Sequence, residues 1–564
     1  MSAPAPTRGR RTPPSEPFAL SARRSDRPRA YRGLVTGSAR LRTTAAPNLL
    51  AVLAGALPAL TFPEAALWWL AYVCLVPLLL LCRSATSARQ ALLRGWCGGA
   101  GFVLAVHHWL LPNLHVFLPL VAIVVGALWA PWGWASWLVL RLPASGRRVA
   151  AALAVIPSGW LLIELVRSSE YLGGPWGLMG ASQWQASGVL GLAGLGGVWL
   201  VSAVVVLVNV AVTVAVVMVW TGSRAGDRRT GIVATATALG LVAVGTLAWS
   251  AAASAPSRVA TAQVALVQPG VVRGAATRFA RGEALTRQLR GRDLDLVVWG
   301  ESSVGVDLGS RPDLRRRLVV LAREVSAPLL VNVDARAAGR PGIFKSAVLV
   351  TPSGSTAQRY DKLRLVPFGE DIPLRGLLGW LAGPTEAAVE DRRRGRGPVL
   401  IDVRTARDAG GLEVGPLVCF ESSFPDMSRE LTGRGADVIV VQSSTATFQQ
   451  SWSPEQHASL AAVRAAETAT PVVHATLTGQ SVVYDATGRP VGAPLTTGEA
   501  TSAVYAVPIV TGGTPYVRFG DWVPALASVV TVTALMYHLR GRPEGAGRRP
   551  RRRTRHVPTR PSAG

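Results

Sequence analysis

Charge is scarce in this chain. Of its 564 residues 16% are Asp, Glu, Lys or Arg against 49% hydrophobic, and the mean hydropathy is +0.30. That balance excludes an ordinary soluble enzyme and points to a chain that lives partly in lipid. Cysteine is scarcer still. Cys74, Cys82 and Cys97 fall in membrane-length apolar runs, and Cys419 alone lies outside them, so no internal disulfide staples the polar part. No group of His, Cys, Asp and Glu has metal-ligand spacing, and the abundant glycines form neither a phosphate-binding P-loop nor a dinucleotide fingerprint. Neither a metal nor a cofactor is expected.

What is present is a series of apolar runs near the length that crosses a bilayer, about 20 residues at 1.5 Å each. They cover Ala46 to Phe62, Ala65 to Cys82, Leu92 to Leu111, Val116 to Leu140, Val149 to Val166, Val189 to Trp220 and Ile232 to Ala252, with an eighth, Trp522 to Leu539, alone near the C-terminus. They are apolar all round rather than on one face, as lipid-embedded helices are. No small-residue cleavage site precedes the first run, so its helix is expected to remain. Trp68, Trp69, Trp109 and Trp132 near run ends read as an aromatic belt.

The net charge of +26 gathers in two Arg-rich tails, 1–45 and 541–564. Both are expected to be disordered, because their Pro, Ser, Gly and Arg content offers no face to bury. Such tails attract anionic lipid headgroups, and nucleic acid is not expected as a partner. Short loops alternate in charge. Arg83, Arg89 and Arg94, then Arg141, Arg147 and Arg148, then Arg224, Arg228 and Arg229 fall on one side, whereas the intervening loops hold Glu64, no charge, and Arg167 with Glu170. The basic-side rule then places both termini in the cytoplasm and residues 256–519 outside the cell membrane.

That insert carries short β-branched runs at Gln263 to Val267, Asp295 to Trp299, Leu329 to Val333, Ser346 to Val350, Gly415 to Phe420, Val438 to Gln442, Val472 to Ala475 and Ser481 to Asp485. Helical patterns fall at Ala275 to Leu289, Pro312 to Val325, Pro425 to Thr432 and Ser453 to Glu467. The alternation predicts an α/β layered domain whose sheets are covered by helices. The expected organisation is a basic tail (1–45), seven membrane helices (46–252), the α/β domain (256–519), an eighth helix (520–540) and a second tail (541–564).

Three polar groups follow predicted strands: Glu301 after DLVV, Lys362 after the run ending at Val350, and Cys419 after GPLV. Strand ends deliver side chains to a shared site. A thiol, a carboxylate to take its proton and a cation for the oxyanion are what acyl transfer requires. Singly, each has a plainer reading. Free Cys is often a small buried hydrophobe, a strand-end Glu is usually a solvated loop residue, Lys362 pairs on paper with Asp361, and Glu421 has the place of a helix cap. Together the three form a candidate catalytic set.

The strings VVWGESS, YDKLRLVPFGEDIP and PLVCFESSFPD, in that order, resemble the nitrilase or carbon–nitrogen hydrolase superfamily. The longer middle string, the helix layout and GPWGLMGASQ at Gly174 to Gln183 resemble its membrane branch, the apolipoprotein N-acyltransferases. That resemblance implies an α-helical bundle of about eight spans carrying an αββα sandwich. It implies a ping-pong transfer of an acyl chain from a phospholipid, through a thioester on Cys419, to the α-amine of an S-diacylglyceryl apolipoprotein. It also implies Glu301 as base, Lys362 as oxyanion partner, and Glu370 and Glu421 as supports. The same thiol would serve a membrane-anchored amidase or nitrilase, and an impaired paralogue would keep the fold as a partner-binding scaffold.

Several positions depart from the family pattern. Phe420 stands where many members have Tyr, Gln442 to Gln450 reads QSSTATFQQ in place of an Asn-Asp-Ala-Trp-Phe type segment, and Leu477 replaces an Asn. Phe279 is the nearest aromatic to an expected Trp. These changes are expected to touch substrate contacts and the polar groups that support the site more than the three reacting groups. His457 has the place of a family histidine but reads as structural, as do Asp361 and Asp426.

Overall fold

The computed structural model describes residues 45–141, 146–220, 225–252, 257–337, 340–355, 358–372, 376, 392–404 and 411–540. Apart from Ala45, both basic tails lie outside them, and so does their expected disorder.

Every apolar run carries helix, yet in fewer full-length pieces than eight spans. After the apolar stretches Ala45–Thr61 and Trp68–Arg83 come α1 (Ala88–Val106), α2 (Phe117–Gly126), α3 (Trp129–Val139), α4 (Gly146–Arg167), α5 (Ala193–Trp220) and α6 (Ala225–Ala252). Among the described residues α4, α5 and the C-terminal helix are long and apolar enough to cross a membrane, and α2 with α3 is a pair bent by 42°. The shortfall has local causes. Trp68–Arg83 splits into a 3-10 turn, Trp68–Tyr72, and a helix opening at Val76 and Pro77. The first turns of α1 contain Arg89 and Arg94, and Arg94 is buried on the Leu81 carbonyl at 2.6 Å.

Close approach of backbones holds the bundle. A Cβ on Gly55 would lie 1.9 Å from the Gly98 carbonyl oxygen, and one on Gly133 would lie 2.6 Å from Gly95 Cα. In lipid, where apolar burial gives little drive, small residues that admit such contact are the means of packing. Two of the four expected belt tryptophans belong to this interior: Trp132 packs edge-on against Trp160 and Trp109 against Trp176, both buried, whereas Trp68 and Trp69 are exposed.

The α/β domain has two sheets. β1 (Ser257–Gln268), β2 (Leu296–Trp299), β3 (Leu329–Ala337), β4 (Arg340–Val350), β5 (Arg359–Asp361) and the late β11 (Thr501–Thr511) form one, in the order β11-β1-β2-β3-β4-β5. β6 (Ile401–Val403), β7 (Leu412–Val418), β8 (Val438–Ser443), β9 (Val472–Thr476) and β10 (Val482–Tyr484) form the other, in the order β10-β9-β8-β7-β6. Every expected strand and helix of the insert is present. β5, β6 and β11 escaped sequence reading: two have three residues each, and β11 contains Pro508, which a strand at the sheet's edge tolerates.

Period-2 alternation sorts the side chains into layers. Val264, Leu266, Val298 and Leu330 meet Val414, Val438, Val440 and Val473 between the sheets. On the far side of the first sheet, Ala265, Val297 and Val331 pack on α7 (Ala275–Arg287) and α8 (Pro312–Glu324) through Phe279, Leu285, Leu318 and Leu321. On the far side of the second, Leu417, Ile439 and Val441 pack on α9 (Pro425–Gly433) and α10 (Ser453–Thr468). This is an αββα sandwich. The same apolar cluster continues through Leu460 and Val463 into Leu190, Val198 and Trp199 of the helical bundle, so α10 is buried along its length except at Glu455. Each such aliphatic side chain, fully buried, contributes about 1.5–3 kcal/mol. The chain returns to the bundle through α11 (Trp522–Arg540).

At the seam, α5 is broken at Gly196 and Gly197, whose φ angles are −143° and +69°. Gly197 permits the left-handed step and the close stacking of Tyr516, whose ring a Cβ would meet at 2.7 Å. The freed Val198 N–H donates to Glu467 of α10 at 2.6 Å, and Arg464 pairs with the same carboxylate at 2.9 Å.

Candidate active site

Glu301, Lys362 and Cys419 converge where the two sheets open at their strand ends. Glu301 follows β2, Lys362 follows β5, and Cys419 leaves β7 at φ +50° before a 3-10 turn, Cys419–Ser423. Left-handed backbone at a non-glycine residue is strained, and here it brings the thiol within the influence of the Glu301 carboxylate, Lys362 and Ser443. Gly300 lets the Glu301 turn reach the second sheet, since a Cβ there would lie 1.9 Å from Leu477 N. The Glu301 N–H donates to the Ser443 carbonyl at 3.1 Å.

Lys362 is fully buried, with Nζ at 2.9 and 2.8 Å from the two oxygens of Glu370 and 3.5 Å from Glu301 Oε1. Glu370 is fixed in turn by the Val366 N–H at 2.9 Å. Glu421, two residues past the thiol, accepts four hydrogen bonds: from Tyr360 Oη at 2.7 Å, Leu363 N at 2.6 Å, Arg364 N at 3.1 Å and Val418 N at 2.7 Å. It is a cross-tie between the nucleophile strand and the lysine arm, rather than a cap of α9. Asp426 binds Arg364 on the same arm, and Asp361 binds Ser346 at 2.5 Å, both structural as expected.

The electrostatics follow from burial and neighbours. Burial, then the Glu301 charge, pushes the Cys419 thiol up to about 12, so it ionises only by handing its proton to a nearby base. Burial also raises Glu301, against the pull of Lys362, which gives a carboxylate of improved basicity. Burial disfavours the charge on Lys362, but Glu370 and Glu301 outweigh it and hold the ammonium above its ordinary value. Glu370, despite burial, is kept below the ordinary glutamate range by Lys362.

Sequence reading missed the groups behind the thiol. His457, expected to be only structural, sets Nε2 at 3.1 Å from the Cys419 carbonyl and 2.9 Å from Ser422 Oγ, with Nδ1 at 3.1 Å from Ser443 Oγ. Because a carbonyl only accepts, the network assigns the proton to Nε2, and Ser443 donates to Nδ1. Burial lowers the imidazole to about 4, so it is a neutral brace for the strained turn. Its signal in the sequence was an Ala-rich helix with no polar face. Gln442, in the segment expected to touch substrate or the polar support of the site, gives support: it ties the sheets through the Trp299 and Leu330 carbonyls at 2.8 and 3.1 Å. Phe279 is core, 5.8 Å from Trp299.

The helical bundle closes the site from the other side. Glu170, just past α4, accepts from Leu365 N at 3.0 Å and pairs with Arg394 at 2.6 Å, pinning the lysine arm. The 174–183 loop lies on the nucleophile turn: the Phe420 ring tip abuts Gly174, and Trp176 stacks 5.4 Å from His457. Inside the bundle Arg167 holds that loop through the Gly177 carbonyl at 2.7 Å, and Glu164 through Met179 N at 2.7 Å.

Known proteins resemble most of the chain. Residues 54–211 match the apolipoprotein N-acyltransferase N-terminal domain and residues 260–511 the carbon–nitrogen hydrolase domain. An apolipoprotein N-acyltransferase of Azotobacter vinelandii is 31% identical over 84% of this chain and 92% of its own length. The chain belongs to the apolipoprotein N-acyltransferase family. A family member from Pseudomonas aeruginosa strain UCBPP-PA14 is 30% identical over 87% of this chain and 95% of its own. Among solved structures, a CN-hydrolase superfamily protein of Xanthomonas campestris aligns at 18% identity and TM-score 0.34, over 51% of this chain and all of the other. Membership makes this chain a membrane acyltransferase that works through the carbon–nitrogen hydrolase fold.

Proposed function

We propose that Cys419 carries an acyl chain from a phospholipid to the α-amine of an S-diacylglyceryl-cysteine at an apolipoprotein N-terminus. In the first half-reaction Glu301 takes the thiol proton as Sγ attacks the ester carbonyl. Lys362 neutralises the oxyanion, and collapse to the thioester expels a lysophospholipid alkoxide that takes the proton back from Glu301. In the second half the free amine attacks the thioester, Glu301 removes its proton, and the thiolate departs and is reprotonated. Lys362, aimed by Glu370, serves both tetrahedral intermediates.

One observation carries this reading over amide or nitrile hydrolysis. The turn bearing Cys419 is covered by the 174–183 loop of the helical bundle, with Phe420 on Gly174 and Trp176 beside His457, so a donor held among membrane helices arrives beside the thiol. The distribution of arginines along the helices supports a sidedness. The domain-facing ends of α4, α5 and α11 are Arg167, Ala193 and Trp522, and Arg147 and Arg148 in the first turn of α4 and Arg540 at the end of α11 mark the opposite ends. A basic far face is the cytoplasmic one, which supports a catalytic domain on the outer side of the membrane.

Purified membranes incubated with acyl-labelled phospholipid supply the test. A hydroxylamine-labile label on Cys419 that moves to a diacylglyceryl peptide is expected. Label released only as fatty acid would make the protein a hydrolase, and no adduct would leave it a scaffold.

A further inference from the structure

Of 59 basic residues only two are lysine, Lys345 and Lys362, and both border Glu301. Lys345 lies on β4 with its side chain only 10% exposed. Its Nζ stands 2.6 Å from Ser302 Oγ and 2.6 Å from Asp334 Oδ1 on β3. Ser302 follows the base directly and has φ +55°, a conformation that persists only when its surroundings impose it. The Asn332 side chain accepts the Ser302 N–H at 2.9 Å, and Lys345 grips the hydroxyl. The backbone of Lys345 also matters, because its carbonyl accepts the Lys362 N–H at 2.9 Å. One residue thereby joins the general base to the oxyanion cation.

We propose that Lys345 is a positioning residue for the acyl transfer, holding the Glu301 turn through Ser302 and the Lys362 backbone through its own carbonyl. The charged groups facing Glu301 are Lys362 and Glu370 from the lysine arm, Lys345 from β4 and the Cys419 thiol from the β7 turn, with Asp334 partly neutralising Lys345. Burial raises the Glu301 carboxyl, and Lys345 acts with Lys362 against that rise. An arginine in its place would keep the charge, but a neutral side chain of similar length would not.

The inference rests on Cys419 and Glu301 acting as thiol and base, and its test uses the full-length protein in detergent with iodoacetamide as probe. Alkylation of Cys419 is followed by peptide mass across pH, which requires no lipid donor. Loss of lipid transfer with the expected alkylation shift therefore counts against the proposed substrate and not against Lys345. Lys345→Met is expected to move the acid limb to higher pH, lowering the rate about tenfold on that limb and less than about threefold on the plateau. Lys345→Arg is expected to restore the limb. Asp334→Asn keeps Lys345 and removes its neutraliser, so its limb is expected to move to lower pH. A uniform loss at every pH in Lys345→Met, or an unmoved limb in both Lys345→Met and Asp334→Asn, would overturn the proposal. If Lys345→Met does not fold, the direction of the Asp334→Asn shift decides it alone.

Discussion

Glu370 holds Lys362 with both carboxylate oxygens, at 2.8 and 2.9 Å, while Glu301 stands off at 3.5 Å. Two acids thus share one cation unequally. The nearer one aims and neutralises the ammonium, and the farther one keeps an oxygen for the thiol. Glu370→Gln should leave a folded protein whose acylation slows by about tenfold to a hundredfold, because the buried lysine keeps a hydrogen bond but loses its counter-charge. Lys362→Ala and Glu301→Gln should each cost at least about a hundredfold, the scale for losing an oxyanion partner or a general base. Single-turnover acylation rates check all three, and a near-normal rate removes that residue from the mechanism.

The two half-reactions should differ in pH dependence. Acylation needs Glu301 ionised, and since burial raises its carboxyl, the rate should rise with pH through a limb above the ordinary glutamate range. Lys362 is held above its ordinary value, so no fall from its deprotonation is expected at moderately alkaline pH. Transfer also needs an unprotonated α-amine, with pKa about 7.7–8.0, and should peak at higher pH than acylation. Separate pH profiles of thioester formation and decay measure this, and coincident profiles would refute it.

Tyr360→Phe removes one of the four donors to the buried Glu421 carboxylate and should destabilise the domain by about 1–3 kcal/mol. Glu421→Ala removes the whole cross-tie and should lower acylation far more than Tyr360→Phe does. Thermal unfolding in detergent beside acylation rates separates the two effects.

Phe420→Tyr places a hydroxyl at the ring tip that abuts Gly174, facing the 174–183 loop rather than the Lys362 cluster. No gain in rate is expected, and a modest loss from crowding is. A faster variant would mean that the ring swings toward the reacting groups.

Glu467→Ala strands Arg464, which is 1% exposed, and uncaps the second half of α5 at Val198. Leaving one partner of a buried ion pair alone costs about 3–5 kcal/mol. The unfolding midpoint in detergent should fall, whereas Arg434→Ala, which breaks an exposed pair with Glu430, should leave it nearly unchanged.

Much of the α/β domain was legible because its strands are buried on both faces and read as continuous β-branched runs, as in Val438 to Gln442. Three of the four edge strands were not: β5 and β6 have three residues each and β11 is disguised by Pro508, whereas β10, equally short, lies within the apolar run Ser481 to Asp485. The reacting set was legible because a thiol, an acid and an amine each follow a strand. Their supports were not, since His457, Ser443, Glu170 and Lys345 gain meaning only when distant segments meet. The apolar runs announced apolar helices, but eight full spans are not what the described residues show, because the sequence did not reveal where glycine, proline and buried arginine divide the runs.

The most direct measurement is the mass of the peptide containing Cys419 after the protein meets a phospholipid of defined acyl chain. The account predicts one acyl group on that peptide, removed by neutral hydroxylamine, passed on when a diacylglyceryl-cysteine peptide is added, and absent in Cys419→Ala. An acyl group on another residue, or transfer that persists in Cys419→Ala, would contradict it.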